Sequence, residues 1–302
     1  MSYLDCAHAR APKRGQRIAG DVWLVRRVPE EDRLVCALCD GLGSGVKANV
    51  LAALTATMAV RHTADGRDPA GAARVLARTL PVCSVRGIGY AAFSLVDVDG
   101  AGRLRLSEYG NPPALLLRDG RATPIPTQAV TADGAPGREL RTGSLDLRLG
   151  DRLVVVSDGV TQAGMGARAT PLGWGEAGLS AAVEEALAHD PGISAHALAE
   201  AVVAGARGVD GGAPHDDTTC GVVHLRLPRR LLVCTGAPYD LDRDQEFAWD
   251  ARDFDGRKAI CGGTTAEIIA RVLRRRVHIQ PTAHGDLPPG RRSTASTWSP
   301  RA

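Results

Sequence analysis

The 302-residue chain has few aromatic residues: Phe, Trp and Tyr make up 4% of it. Hydrophobic residues reach 44%, so a sizeable core is within reach, but it must be built mainly from Ala, Val and Leu. No apolar run approaches the roughly 20 residues a membrane helix needs, which argues against a membrane protein. The N-terminal stretch MSYLDCAHARAPKRGQRIAGD is basic and has no apolar signal segment after it, so a cytoplasmic protein is expected. Neither sign of charge dominates, and a net charge of +3 is too small to imply nucleic acid or a membrane surface as partner. A disulfide framework is also lacking, because the seven cysteines (Cys6, Cys36, Cys39, Cys83, Cys220, Cys234 and Cys261) are odd in number and scattered. Cys36 and Cys39 form a C-x-x-C, with no second such pair to complete a zinc site. They fall in LVCALCD, which reads as a strand, so they point to opposite faces and are expected to be plain buried thiols.

From about 17 to 228 short β-rich runs alternate with two groups of helical sequence. Strands are expected over 17–28, 33–40, 89–99, 103–110, 113–119, 145–149, 152–158 and 218–227, most of them separated by Gly, Asp or Asn turns that favour antiparallel hairpins. RLRLSE, from Arg103, alternates strictly and predicts one face in the core and one toward solvent. Helices are expected over 46–63, around 73–80, and as a pair near 176–189 and 194–207, split by Asp190-Pro191-Gly192. Leu179, Val183 and Leu187, then Leu198 and Val202, recur every four residues as an amphipathic helix requires. Two groups of helices around many antiparallel strands predict an α+β protein, a four-layer α/β/β/α sandwich. The domain organisation read from the chain is 1–228 as the main domain, 229–273 as a small α/β extension, and 274–302 as a disordered basic tail, rich in arginine with Asp286 as its single acid.

Four acids sit where a carboxylate is costly without a cation or hydrogen bonds. Asp21 interrupts an apolar strand; Asp40 ends LVCAL and enters Gly41-Leu42-Gly43-Ser44-Gly45; Asp158 ends RLVVVS; Asp216, with Asp217, precedes TTCGVVHL. Any one alone is ordinary turn chemistry. Together, and with no accompanying His or Cys, they point to a site for a hard cation, Mg²⁺ or Mn²⁺ rather than Zn²⁺. A glycine after Asp40 would let the main-chain carbonyl approach such an ion closely. The Gly-rich turn fits neither G-x-x-x-x-G-K-[ST] nor G-x-G-x-x-G, which excludes the common nucleotide fingerprints. In the extension, Cys261-Gly262-Gly263 opens a helix with Thr264 or Thr265 at its start, where an ordinary strand-to-helix turn is the simpler reading.

The ordered motifs Ala19-Gly20-Asp21, Asp40-Gly41-Leu42-Gly43-Ser44-Gly45, Gly110-Asn111-Pro112-Pro113, Ser157-Asp158-Gly159-Val160 and Asp216-Asp217-Thr218-Thr219 resemble the PPM/PP2C-type metal-dependent protein phosphatases, in particular their bacterial SpoIIE/RsbU-like branch. Gly45-Val46-Lys47-Ala48-Asn49, residues 79–83 and Leu172-Gly173-Trp174 are similar to one subgroup of that branch, and Cys261 to Ala266 look like its C-terminal extension. The resemblance implies a serine/threonine phosphatase with two Mn²⁺ or Mg²⁺ ions flanking a nucleophilic water. Asp40 would bridge the ions and the Gly41 carbonyl would bind one of them. Asp158 and Asp216 would complete the other shell, and Asp21 would bind an ion or orient its water. Asp217, Asn111 and Ser44 are candidates to support these ligands from behind, Asp217 alternatively by capping the turn. The implied partner is a phosphorylated regulatory protein, such as an anti-sigma-factor antagonist. Leu42 stands where eukaryotic relatives carry a histidine acid, and His215 is a weak substitute beside the alternative of an exposed turn residue. A catalytically weak scaffold and a phosphatase of small phosphorylated metabolites are the alternative readings.

Overall fold

The computed structural model describes residues 2–66, 68–79, 91–130, 139–275 and the strand pairs 278–279 and 291–292. Contacts divide the chain into two units, residues 1–227 and 228–302. In chain order the first unit contains β1 (Tyr3–Ala11), β2 (Val22–Val28), β3 (Arg33–Gly41), α1 (Gly45–Ala64), α2 (Pro69–Thr79), β4 (Ala91–Asp99), β5 (Arg103–Tyr109), β6 (Leu115–Arg118), β7 (Arg121–Pro124), β8 (Gln128–Val130), β9 (Leu140–Asp146), β10 (Arg152–Val156), α3 (Asp158–Thr161), α4 (Gly175–His189), α5 (Ala195–Val209) and β11 (Thr218–Arg226).

The strands form two antiparallel sheets, ordered β2-β3-β4-β5-β9-β8 and β1-β11-β10-β6-β7. Three apolar clusters separate four layers. Between the sheets lie Leu34, Cys36, Leu38, Val96, Leu106, Val155 and Val223. Outside the first sheet α1 and α2 cover Val35, Ala37, Cys39, Phe93 and Leu95. Outside the second, α4 and α5 bury Leu179, Val183, Leu198 and Val202 against Val154, Val156 and Val222. This is the expected α/β/β/α sandwich. Cys36 and Cys39 occupy different clusters, on opposite faces of β3, and burial pushes both thiols up from their ordinary values.

The scarcity of aromatics shapes the packing. The buried face of α1 is made of Ala48, Ala52, Ala56 and Ala59, so helix and sheet approach closely. Phe93 and Tyr109 supply a stacked pair of large rings in this layer, with centroids 5.4 Å apart. The strict alternation expected of Arg103 to Glu108 is realised for its first four residues, with Leu104 and Leu106 buried and Arg103 and Arg105 exposed, and breaks at Ser107 and Glu108, both buried.

Several boundaries differ from the sequence reading. Residues 17–21 are not strand; β2 starts at Val22 and Asp21 precedes it. Of the run at 145–149 only Leu145 and Asp146 are strand, the end of one that begins at Leu140. Asp158 does not end a strand: β10 stops at Val156, Ser157 caps, and Asp158 opens the single-turn α3. Three strands were not expected. In β1 the apolar positions alternate with Asp5, His8 and Arg10, so hydropathy alone hides it; all nine of its residues pair with β11. β7 and β8 are short, β7 closing a two-residue hairpin on Asp119 and Gly120, both with positive φ. Residues 80–90 and the part of 79–83 beyond Thr79 lie outside the described residues.

The second unit has a parallel pair, β12 (Leu231–Thr235) and β13 (Arg257–Cys261), with α6 (Asp244–Asp253) between them and α7 (Gly263–Val272) after. The acidic segment 240–255 is therefore largely helical, and Ala248, Ala251, Cys234 and Ile269 form its small core. Of the tail from 274, beyond Arg274 and Arg275 only the antiparallel pair β14 (His278–Ile279) and β15 (Arg291–Arg292) is described, so the disorder expected there falls on residues outside the description.

Candidate active site

Strand register brings the acidic motifs to one end of the two sheets. Val22 pairs with Cys39, so continuing that register sets Asp21 beside Asp40 at the end of β3. In the other sheet Val156 pairs with Cys220, and Ser157 N donates to the Thr219 carbonyl at 3.0 Å, which sets Asp158 against the turn of Asp216 and Asp217. Across the sheets, the charges of Asp217 and Asp158 both act on Asp21.

Asp217 organises this end. Its Oδ1 accepts from Lys13 N at 2.9 Å and its Oδ2 from Gly20 N at 2.8 Å, and its carbonyl accepts from Ser157 Oγ at 3.3 Å. Asp217 thus ties the β1–β2 connection, through its side chain, and the Ser-Asp-Gly turn, through its main-chain carbonyl, to the start of β11. Its place in the sequence reading, as a supporting residue or a turn cap, is filled here by a hydrogen-bonding anchor.

The glycines of the motifs are required by close packing at the same point. A Cβ at Gly41 would overlap the Ala48 carbonyl of α1, and one at Gly159 would overlap the Asp217 carbonyl. A Cβ at Gly20 would come within 2.9 Å of both Ala48 Cβ and Asp217 Oδ2. Asn49 adds a tie from α1, donating from Nδ2 to the Ala19 carbonyl at 2.8 Å. Asn111 donates from Nδ2 to the Leu38 carbonyl at 3.3 Å and to Ser94 Oγ at 3.1 Å, fastening the Gly-Asn-Pro-Pro turn to the strand that ends in Asp40. Ser44 is the N-cap residue of α1, but its side chain makes no capping hydrogen bond.

Asp21 is the anomaly. It is fully buried, and neither carboxylate oxygen has a hydrogen-bond partner among the described residues. Burial pushes its pKa up to about 7; the nearby Thr219 and Ser157 hydroxyls pull it down without meeting hydrogen-bond geometry on it, and Asp217 and Asp158 push it up again. The other acids are better provided for. Asp158 Oδ2 accepts from Gln162 Nε2 at 3.0 Å. Asp216 Oδ1 accepts from Asp217 N at 2.9 Å and pairs with Lys13 Nζ at 3.5 Å, both side chains about two-fifths exposed. Lys13 is the residue that sequence reasoning missed; it lay in a stretch read only as basic, and nothing in its spelling marks a side chain destined for an acidic site.

A carboxylate wholly buried and unpaired beside other carboxylates is unstable as an anion and suited to a divalent cation. Among the described residues no three His, Cys, Asp or Glu side chains form a closed metal-binding group. A hydrated Mg²⁺ or Mn²⁺ does not need one, because it is commonly held by one or two carboxylates and completes its shell with water. The donor set and the two orphaned oxygens of Asp21 therefore fit such an ion. His215 is exposed, its Nδ1 3.1 Å from Asp210 Oδ1 and its backbone N–H donating to Asp210 Oδ2 at 2.9 Å, so it is held in the turn.

A family model described as Stage II sporulation protein E (SpoIIE) matches residues 30–226. The chain belongs to the SpoIIE family. Solved structures of PP2C phosphatases share its fold. The PP2C phosphatase domain with a regulatory-domain fragment of SpoIIE from Bacillus subtilis aligns with TM-score 0.59 and 17% identity, over 74% of this chain and 63% of that one. The RsbU and RsbW domains of Rv1364c from Mycobacterium tuberculosis align with TM-score 0.60 and 19% identity, over 83% and 67%. RsbX in complex with magnesium aligns with TM-score 0.51 and 16% identity, over 74% and 95%. This chain thus spans less than two thirds of the first of these SpoIIE structures. No curated protein matches. Among the described residues no helix is long and apolar enough to cross a membrane.

Proposed function

We propose that this SpoIIE-family chain hydrolyses phosphoserine or phosphothreonine on a regulatory protein at the acidic end of its two sheets, using two Mn²⁺ or Mg²⁺ ions. The observation that carries this reading is the buried Asp21 carboxylate, without a partner among the described residues, set beside Asp40 by strand register and acted on by the charges of Asp158 and Asp217. Asp40, at the end of β3, would serve both ions and the Gly41 carbonyl would bind one of them; Asp158 and Asp216, from the other sheet, would complete the shell of the other, and Asp21 would bind an ion or orient its water. When bound, these ions lower the pKa of a water and neutralise charge on the phosphate oxygens.

The protein's part is to keep the ligands in place. Asp217 fixes the segments carrying Asp21 and Asp158, Asn111 fixes the strand carrying Asp40, and the glycines let these backbones close together. Leu42 offers no proton to the leaving serine, and His215 is engaged by Asp210, which leaves a solvent or ligand water as the acid. Partner-switching relatives such as the RsbU and RsbW domains support a phosphorylated regulatory protein as substrate, of the anti-sigma-factor antagonist kind. In this reading 1–228 is the phosphatase domain and 229–273 a separate module, in a cytoplasmic protein.

The test is Mn²⁺-dependent hydrolysis of p-nitrophenyl phosphate and of a phosphoserine peptide by wild type and Asp40→Ala. The expected result is metal-dependent turnover of both substrates, lost in the variant by about a hundredfold or more, the scale on which removal of one charge-stabilising group acts. Turnover indifferent to metal or to Asp40 overturns the proposal; turnover confined to small phosphate esters transfers the substrate to that class.

A further inference from the structure

The connection from β1 to β2 runs along the acidic centre and carries charge of the opposite sign. Lys13, Arg14 and Arg17 fall close together in it, and no acid stands between Ala11 and Asp21. Its backbone is fixed from both sheets. Lys13 N donates to Asp217 Oδ1 at 2.9 Å and Gly20 N to Asp217 Oδ2 at 2.8 Å. Arg14 N donates to the Pro214 carbonyl at 2.8 Å, and Gln16 N to the Lys13 carbonyl at 2.9 Å, closing a turn in which Gly15 has φ +81°. A Cβ on Gly45 would come within 2.9 Å of Gln16 Oε1, so the turn also reaches the first residue of α1. The loop thus extends from the Asp216-Asp217 turn to the helix that follows the Asp40 motif.

Its cationic side chains divide into two kinds. Lys13 Nζ is drawn to Asp216 Oδ1, 3.5 Å away. Arg14 and Arg17 are exposed, and among the described residues neither guanidinium has a hydrogen bond or an ion pair. Exposed arginines are common and alone indicate nothing. The second observation is where these two stand: on a backbone pinned by a buried carboxylate, at the rim of a centre rich in acids. If neutralising that centre were their task, they would turn inward as Lys13 does; they are left in solvent, on the side from which a substrate arrives.

We propose that the Lys13–Arg17 loop is a docking element that selects phosphoproteins with acidic residues close to the phosphorylated serine or threonine, an inference that rests on the phosphatase reading above. Arg14 and Arg17 pair with carboxylates of the bound segment. In an extended segment each residue advances about 3.3 Å, so acids about two to four residues from the phosphorylated one lie roughly 7–13 Å from the centre, over its rim. Exposed ion pairs contribute little to affinity and more to the choice of partner, so two of them set a preference rather than a tight complex.

The test uses the full chain and three peptides that differ only in the residues flanking a central phosphoserine, which are Glu, Gln or Lys. Two quantities are measured: kcat/KM with Mn²⁺, and Kd by fluorescence anisotropy, with Mg²⁺, for the same peptides carrying a non-hydrolysable phosphonate in place of the phosphate. The Glu-flanked peptide is expected to be favoured over the Gln-flanked one about threefold to tenfold in both, with the preference shrinking toward parity in ~0.5 M NaCl. Arg14→Gln with Arg17→Gln is expected to bring the two peptides to parity, and Arg14→Glu with Arg17→Glu to favour the Lys-flanked peptide. A wild-type preference below about twofold, an undiminished preference in both double variants, or no binding of any peptide at ~1 mM overturns the docking element. Absence of turnover of every peptide and of p-nitrophenyl phosphate strikes the phosphatase reading instead, and the binding preference then decides the loop by itself.

Discussion

The role assigned to Asp217 can be separated from metal binding by one substitution, Asp217→Asn. The side chain is 4% exposed and its two oxygens each accept from one backbone amide, Lys13 N at 2.9 Å and Gly20 N at 2.8 Å. Asparagine keeps the shape but has one oxygen, so one amide retains a neutral acceptor and the other meets an NH₂ group. A hydrogen bond to a charged group contributes about 1.5–3 kcal/mol and a neutral one about 1 kcal/mol, so the variant should lose roughly 2–4 kcal/mol. In a unit of this size each kcal/mol shifts the melting temperature by about 2–4 °C, which gives a fall of about 5–15 °C. The assay is calorimetry of both proteins in EDTA, where no ion can contribute. A loss below ~1 kcal/mol in EDTA, with a large difference appearing only after Mn²⁺ is added, would refute the anchor and make Asp217 a metal ligand.

Two further outcomes follow from the same geometry. Gly159→Ala places a methyl group on the Asp217 carbonyl, backbone that cannot rotate aside; a loss of about 1–3 kcal/mol is expected in urea unfolding, together with reduced phosphatase activity, and an unchanged midpoint contradicts the close approach. Glu108 in β5 is 4% exposed, and burial pushes its carboxyl from 4.5 up to about 7, against the Ala114 N–H and Arg141 that favour its charge and with Glu176 that opposes it. A raised folded value means that the folded state holds the proton longer, so this group's contribution is complete below pH 4.5 and lost as pH rises through about 7. The stability of wild type relative to Glu108→Gln should therefore fall by at most about 3 kcal/mol across that window; a flat difference shows that Glu108 titrates normally.

The layers of the fold were legible because the two periodicities are strong where burial is complete. Leu179, Val183, Leu198 and Val202 spell the inner faces of α4 and α5, and LVCALCD spells a strand covered on both sides. The elements that escaped are those whose apolar content is small or interrupted. β1 uses Ala7, Ala9 and Ala11 on one face and Leu4 and Cys6 on the other, with Asp5, His8 and Arg10 between, and owes its place to pairing with β11 from the far end of the domain. In β9 the stretch Arg141 to Ser144 is polar, and long-range pairing with β5 makes it a strand. α6 carries Asp244, Glu246, Asp250 and Asp253, an acidic composition with little apolar content, while Ala248 and Ala251, with Phe247 beside them, pack against the small core.

The acidic motifs were legible as residues but not as an arrangement, because an acid at a strand end looks the same whether it caps a turn or awaits a cation. The structure distinguishes them by what satisfies each carboxylate. Asp217 is fully occupied by two backbone amides, and Asp216 shares its charge with Lys13, which an incoming ion or a substrate phosphate would have to displace or exploit. Asp21 has nothing, and its burial without a partner costs stability that a purely structural residue would not retain. Gly41 gains a second role in the same way: besides the room its carbonyl would offer an ion, its missing side chain admits the Ala48 carbonyl of α1. The small-residue face of α1, itself a consequence of a core poor in aromatics, is therefore what lets the helix seat against Gly41 and Gly20. Enlarging that face would be felt first at Asp21 and Asp40, so the composition of the core and the placement of the acids are one constraint rather than two.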